Sequence, residues 1–254
     1  MFIDSHCHLR FPELAEQLSA IRQAMSAAQV DRALCICTTL EEFSQVHALA
    51  TGYNNFWCSV GVHPDNEGVQ EPTVQDLLER AALPRVVAIG ETGLDYYGME
   101  DRKGGRSIAD LEWQRDRFRT HIRAARACGL PLVIHTRSAS DDTLAILREE
   151  GEDGAGNRCG GVFHCFTESG EVARAALDLG YYISFSGSHS TATGNSTCKG
   201  ARAVRDVVAW VPMDRMLIET DSPYLAPVPF RGKTNSPAYV PHVAHQVAQV
   251  RGLA

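Results

Sequence analysis

Short apolar runs alternate with longer amphipathic ones along the whole chain. The short runs are a few residues each and rich in Val, Ile, Phe or Tyr. They predict strands at Phe2–His8, Arg32–Thr38, Phe56–Val62, Val86–Gly90, Leu132–His135, Gly161–His164, Tyr181–Phe185 and Met216–Glu219. Between them, apolar positions recur at helical spacing. Leu14, Leu18, Ile21 and Met25 predict a helix over Pro12–Gln29, and Trp113, Phe118, Ile122 and Ala125 another over Leu111–Cys128. Ala139–Glu149, Glu171–Leu179 and Ala201–Trp210 read the same way. Repeated strand–helix alternation builds a parallel sheet. Eight strand signals in 254 residues predict an α/β fold of the (β/α)₈ TIM-barrel type, as one domain over residues 1–254. The competing architecture, an open doubly wound sheet, calls for a Gly-rich phosphate turn after an early strand, and the chain has none. Gly98–Ser107, Ser188–Gly200 and the shorter Glu150–Gly160 read as surface loop insertions.

Apolar residues make up 44% of the chain, enough for a sizeable core. The net charge of −7 excludes a bulk electrostatic grip on nucleic acid, which comes from Lys and Arg neutralising phosphates. A nucleic acid substrate would have to meet a local basic patch or metal ions. The eight cysteines lack Cys-x-x-Cys pairing, and Cys35 and Cys37 sit within an apolar run as buried thiols do. Met1-Phe2-Ile3 runs directly into Asp4 and His6, unlike a signal peptide, and no apolar stretch is long enough to cross a membrane. The expectation is a reduced, cytoplasmic protein with no membrane partner, acting as a monomer.

The ends of the strands carry the chemistry. His6 and His8 close the first strand and, two residues apart, point to one side, with Cys7 on the other. Glu91 ends the fourth strand, His135 the fifth and His164 the sixth, and Asp221 follows the eighth. In a TIM barrel these ends gather at one rim, where active sites form. A lone histidine at a strand end is more often a satisfied polar residue, and a lone acid more often a helix cap. Apolar strands that each terminate in His, Glu or Asp on one rim are explained by neither. Imidazole and carboxylate suit zinc, manganese, nickel or iron, and carboxylates also admit magnesium. Six ligands exceed what one four-coordinate ion with an open position uses. They fit two divalent ions sharing a carboxylate, with Glu91 the natural bridge because its strand lies between those of the two histidine groups.

At this point a resemblance becomes specific. Ile3-Asp4-Ser5-His6-Cys7-His8-Leu9 resembles the opening signature of the TatD family of metal-dependent nucleases. So do Gly61-Val62-His63-Pro64, the stretch from Ile89 to Tyr97, Pro131 to Arg137, Gly161 to Phe166, Glu219 to Pro227, and Arg231 to Pro237, in family order and over nearly the whole chain. The resemblance implies His6, His8 and Asp221 on one ion, His135 and His164 on the other, and Glu91 bridging. It implies 3′-exonuclease activity on DNA, with removal of D-amino acids from mischarged tRNA as the activity assigned to some members. The chain departs from the family pattern in longer stretches at 98–107 and 188–196, and in stopping at Arg251–Ala254 where family members continue into a last helix.

His63, Lys199, Arg231 and Lys233 are the candidate substrate-binding residues. His63 shares the rim because it follows the third strand, and Thr197-Cys198-Lys199 resembles a family Thr-Phe-Lys segment. Glu219, two residues before Asp221, reads as a partner that orients a ligand or a basic side chain. Asp95 and Tyr97 read as structural. The expected mechanism has Glu91 and Asp221 as catalytic residues, Asp221 being both ligand and proton acceptor, while His63 or Lys199 holds a non-bridging phosphate oxygen. DNA or another nucleic acid is then the partner. A carboxyl-ester or amide hydrolase, including the tRNA deacylase, uses the same ligand set. A metal-stabilised binding scaffold would not need six ligands on a barrel rim.

Overall fold

The computed structural model describes residues 1–98, 107–154, 156, 158–187 and 199–253, with only the backbone described at 199–202. Eight strands form one parallel sheet in chain order: β1 (Phe2–Cys7), β2 (Val30–Cys35), β3 (Phe56–Val60), β4 (Val86–Asp95), β5 (Leu132–Arg137), β6 (Gly161–Phe163), β7 (Tyr182–Phe185) and β8 (Met216–Ile218). The sheet closes on itself beyond the end of β8. Cys7 bridges Ser222, Asp221 N–H donates to His6 O at 3.0 Å, and His8 N–H donates to Ser222 O at 2.8 Å. Closure joins the first histidine pair to Asp221, more than 200 residues away in sequence. The predicted (β/α)₈ TIM barrel is the observed architecture.

Among the described residues the α-helices are α1 (Pro12–Ala15), α2 (Leu18–Ala27), α3 (Phe43–Gly52), α4 (Val74–Ala81), α5 (Glu112–Cys128), α6 (Ser140–Glu149), α7 (Gly170–Asp178), α8 (Lys199–Trp210) and α9 (Val240–Arg251). The single helix predicted over Pro12–Gln29 is broken at Gln17, whose φ of −107° and ψ of 12° are not helical. Three helices have no counterpart in the sequence reading. α4 is short, yet Val74, Leu77, Leu78 and Ala81 recur at helical spacing and its Thr73–Asp76 capping box is a legible start signal. α3 buries Phe43, Val46, Leu49 and Ala50, and α9 buries Val240, Val243 and Val247; both spacings are helical, but the β-branched content masks α9. The insertions expected at 98–107 and 188–196 lie, apart from Gly98 and Ser107, outside the described residues.

Alternation along the strands sets up two cores. Outward-facing Ala33, Cys35, Ile89, Leu132 and Ile134 join the large cluster under the helices. Ile36, Ala88 and Val133, with Leu34 and Val162 against them, form a second cluster that fills the barrel interior. His135 lies two residues beyond Val133, and His164 two beyond Val162. Both imidazoles therefore point inward, one layer above this apolar floor. Cys7, Cys35, Cys37 and Cys58 are buried free thiols, as their apolar setting implies.

Candidate metal centre

Glu91 occupies the middle of the rim. β4 reaches that position because Gly90 packs directly on β5: a Cβ there would lie 2.7 Å from Val133 O, and its φ of +149° disfavours any side chain. The Glu91 carboxylate is 2% exposed, and its two oxygens face different neighbours. Oε2 lies 3.4 Å from His6 Nε2 and 3.8 Å from His8 Nε2. Oε1 lies 2.8 Å from His164 Nε2, 3.3 Å from His135 Nδ1 and 3.4 Å from His63 Nε2. Asp221 adds its Oδ1 on the first side, 3.4 Å from His8 Nε2 and 3.7 Å from His6 Nε2. Asp221 sits at φ +56°, a left-handed turn that Asp tolerates better than most residues.

These atoms fall into three groups whose ligand atoms all lie within 4.8 Å of one another: His6, His8 and Asp221; His6, Glu91 and His164; and His63, Glu91 and His135. The donor set suits divalent cations of the zinc, manganese or magnesium class. One contact tests the fit directly. His164 Nε2 is buried and 2.8 Å from Glu91 Oε1 without a hydrogen bond of regular geometry, so an imidazole nitrogen and a carboxylate oxygen border the same space, as two ligand atoms of one ion would.

The charges agree. Burial alone would push the Glu91 carboxyl up, but the imidazoles of His164, His63 and His6 outweigh it and hold Glu91 well below the usual carboxylate range. Burial likewise opposes charge on His164, and Glu91 and Glu219 override it, raising that imidazole well above its usual value.

Two further carboxylates set which nitrogen of each ring faces Glu91. His164 Nδ1 donates to Glu219 Oε1 at 3.3 Å, and the same oxygen accepts Cys165 N–H at 2.7 Å. This matches the orienting role expected of Glu219. His135 Nε2 lies 3.1 Å from Asp95 Oδ2, leaving Nδ1 toward Glu91. Asp95 is thus more than the structural residue its sequence context suggested. Asp4, fully buried, accepts Thr220 N–H at 2.9 Å and Thr220 Oγ1–H at 2.6 Å, pinning the Asp221 turn to β1. Burial raises its carboxyl to about 7.

His63 differs from the other rings. Its Nδ1 accepts the N–H of Asp65 at 3.0 Å, which leaves the proton on Nε2 and makes that atom a donor aimed at the centre. α5 holds this loop in place. The buried Arg117 donates to His63 O at 2.7 Å, and His121 Nε2 accepts Val62 N–H at 3.0 Å.

The centre opens into a cleft of about 740 Å³ lined on opposite sides by Phe11, Tyr224 and Leu225, and by Asp95, Thr136 and Arg137. His63 lines it as expected. Arg231 and Lys233 do not: both are exposed on the loop after β8, where Arg231 Nη1 donates to Ala226 O at 3.1 Å and Lys233 approaches the Phe230 ring. Lys199 opens α8, and its side chain lies outside the described residues. Arg137 escaped the sequence reading although its position two residues beyond His135 on one strand signals the shared side.

Residues 3–254 match the family described as TatD related DNase. The uncharacterized metal-dependent hydrolase YcfH of Escherichia coli K12 is 43% identical over 99% of this chain and 89% of its own length. The 3′-5′ ssDNA/RNA exonuclease TatD of Escherichia fergusonii is 33% identical over 98% of this chain and 91% of its own. Among solved structures, YJJV, a TatD homolog from Escherichia coli K12, superposes with a TM-score of 0.83 at 28% identity, covering 98% of this chain and 90% of that one.

Proposed function

Because the chain belongs to the TatD-related family of metal-dependent hydrolases, we propose that it is a phosphodiesterase that removes nucleotides from the 3′ end of a DNA or RNA single strand, using two divalent ions. The observation that carries the two-ion reading is Glu91, whose Oε2 faces His6 and His8 while Oε1 faces His135 and His164. Nucleic acid as substrate is supported by the relative named as a 3′-5′ ssDNA/RNA exonuclease.

In this reading His6, His8 and Asp221 would hold one ion and His135 and His164 the other, with Glu91 available to either. When bound, such ions bring the pKa of a water toward neutrality and offset charge growing on phosphoryl oxygens. The chain's own residues do the rest. The Asp221 carboxyl, held below its usual range because His8 and His6 outweigh its burial, stays ionised and accepts the proton of the attacking water. His63 Nε2–H donates to a non-bridging phosphoryl oxygen. Asp95 and Glu219 keep their imidazoles turned toward the centre while substrate enters and leaves.

The experiment is a substrate panel with metal-reconstituted protein: end-labelled single-stranded DNA and RNA, an aminoacyl-tRNA and small carboxyl esters. Chelator-sensitive release of mononucleotides from the 3′ end is expected. Turnover confined to aminoacyl-tRNA or the small esters would replace the nuclease reading with a carboxyl-ester hydrolase on the same residues.

A further inference from the structure

The two sides of the cleft are chemically unlike. On the His8 side the wall is aromatic. Phe11 stacks on the His8 imidazole, with centroids 4.6 Å apart and 17° between planes, and Tyr224 meets Phe11 edge-on at 6.1 Å and 70°. Tyr224 is 53% exposed, a large ring left open beside a charged centre. Neither residue belongs to the groups of side chains that converge on the centre.

On the His135 side the wall is cationic. Asp95 and Arg137 are direct partners across the parallel β4–β5 pair. Arg137 follows His135 by two residues and so points to the same side, roughly 6–7 Å further out along the strand. Its guanidinium lies over the Tyr97 ring, 3.6 Å from the centroid. Arg137 is exposed and has no carboxylate within ion-pair distance among the described residues. It is also the cationic side chain among the described cleft-lining residues, which otherwise include Asp65, Glu91, Asp95 and Asp221. Stacking on Tyr97 holds the guanidinium plane without using its hydrogen-bond donors, so they remain free for an anion.

We propose that Phe11 and Tyr224 are a base-stacking wall and Arg137 a phosphate clamp, so that the cleft reads a nucleotide strand with an unstacked base on the His8 side and the neighbouring phosphate on the His135 side. This rests on the nuclease reading above and deepens it. A base reaches an aromatic wall only when its own faces are free, which selects single strands or frayed ends. The wall takes any base, because every base has a π-face, while the clamp holds strand register.

The test uses metal-loaded full-length protein and single strands carrying an abasic residue at either of the two nucleosides flanking the scissile phosphate. Wild type is expected to prefer an intact base at one of these positions by about 10-fold in kcat/KM. Tyr224→Leu is expected to erase most of that preference, with Tyr224→Phe restoring it. Arg137→Gln is expected to reduce the slope of log K against log salt for strand binding by about 0.7, one phosphate contact. If Tyr224→Leu slows intact and abasic strands equally, the ring only supports the Asp221 turn and the stacking wall is overturned. An unchanged salt slope in Arg137→Gln overturns the clamp. Wild-type protein that cleaves no strand but hydrolyses carboxyl esters overturns the nuclease reading and this inference together, a result distinct from the other two.

Discussion

Asp95 and His135 stand on neighbouring strands, with Asp95 Oδ2 3.1 Å from His135 Nε2. Because that contact occupies Nε2, the ring presents Nδ1 to Glu91 at 3.3 Å. Glu219 does the same for His164 from just beyond β8, taking Nδ1 and leaving Nε2 inward. Both histidines of one half of the centre are thus steered by a carboxylate that does not itself reach Glu91. Asp95→Asn and Glu219→Gln should each weaken binding of one metal equivalent by roughly 10–100-fold, with the equivalent on His6, His8 and Asp221 retained. Calorimetric titration of stripped protein reads the two equivalents separately, and two unchanged affinities would mean that packing alone orients the rings.

Asp221 is assigned two roles that a single substitution separates. Asp221→Asn keeps an oxygen toward His8 and removes the proton acceptor. Turnover should fall by at least about 10²-fold while metal content stays near that of wild type. Full turnover at full metal occupancy would place the base elsewhere.

His63 should behave as a donor and not as a ligand, because Asp65 N–H occupies its Nδ1. His63→Ala is expected to lower kcat by about 10²–10³-fold, the scale of losing one donor to a developing anion, with no loss of bound metal. His63→Gln, which keeps an N–H, should recover part of it. Loss of a metal equivalent in His63→Ala would show that the ring binds an ion.

Acid should destabilise the fold partly through His121. This ring is buried beneath the His63 loop, and burial, only partly offset by its hydrogen bond to Arg117 O, lowers its pKa from 6.5 to about 4. A histidine whose folded pKa is depressed binds fewer protons in the native state. Its contribution is therefore intact above about pH 6.5 and declines as the pH falls toward about 4. The loss approaches about 3 kcal/mol at full protonation. His121→Gln keeps an acceptor for Val62 N–H and cannot titrate. Melting temperature at pH 7 and pH 4.5 should drop less in the variant than in wild type, and equal drops would exclude this ring as a source of acid lability.

Much of this was legible before any coordinates. A strand needs only a short run of apolar residues, and the onset of polarity marks its rim-ward part, so His6, His8, Glu91, His135, His164 and Asp221 could be gathered on one rim, although β4 runs on to Asp95 and β5 to Arg137, past the ends expected at Gly90 and His135. The short helices α3, α4 and α9 escape the sequence reading although each carries helical spacing, α4 in Val74, Leu77, Leu78 and Ala81; at 8 to 12 residues they depend on tertiary packing more than on their own pattern. Arg231 and Lys233 looked suited to substrate, but charge in a sequence carries no direction. The loop after β8 leaves both outside the cleft lining, while Arg137, one step along the strand from recognised residues, faces it.

The chain alone determined the barrel and the types and order of the polar residues that gather at its rim, because period-two alternation and the onset of polarity along each strand are local properties of sequence. Only the tertiary structure decided which nitrogen of each imidazole turns inward, that the two oxygens of Glu91 serve different sides, that His63 carries its proton on Nε2, and that one wall of the cleft is aromatic and the other cationic. Those features depend on ångström-scale distances between strands distant in sequence, such as Asp4 with Thr220 and His164 with Glu219. Such distances are set by barrel closure and core packing, which no local pattern encodes.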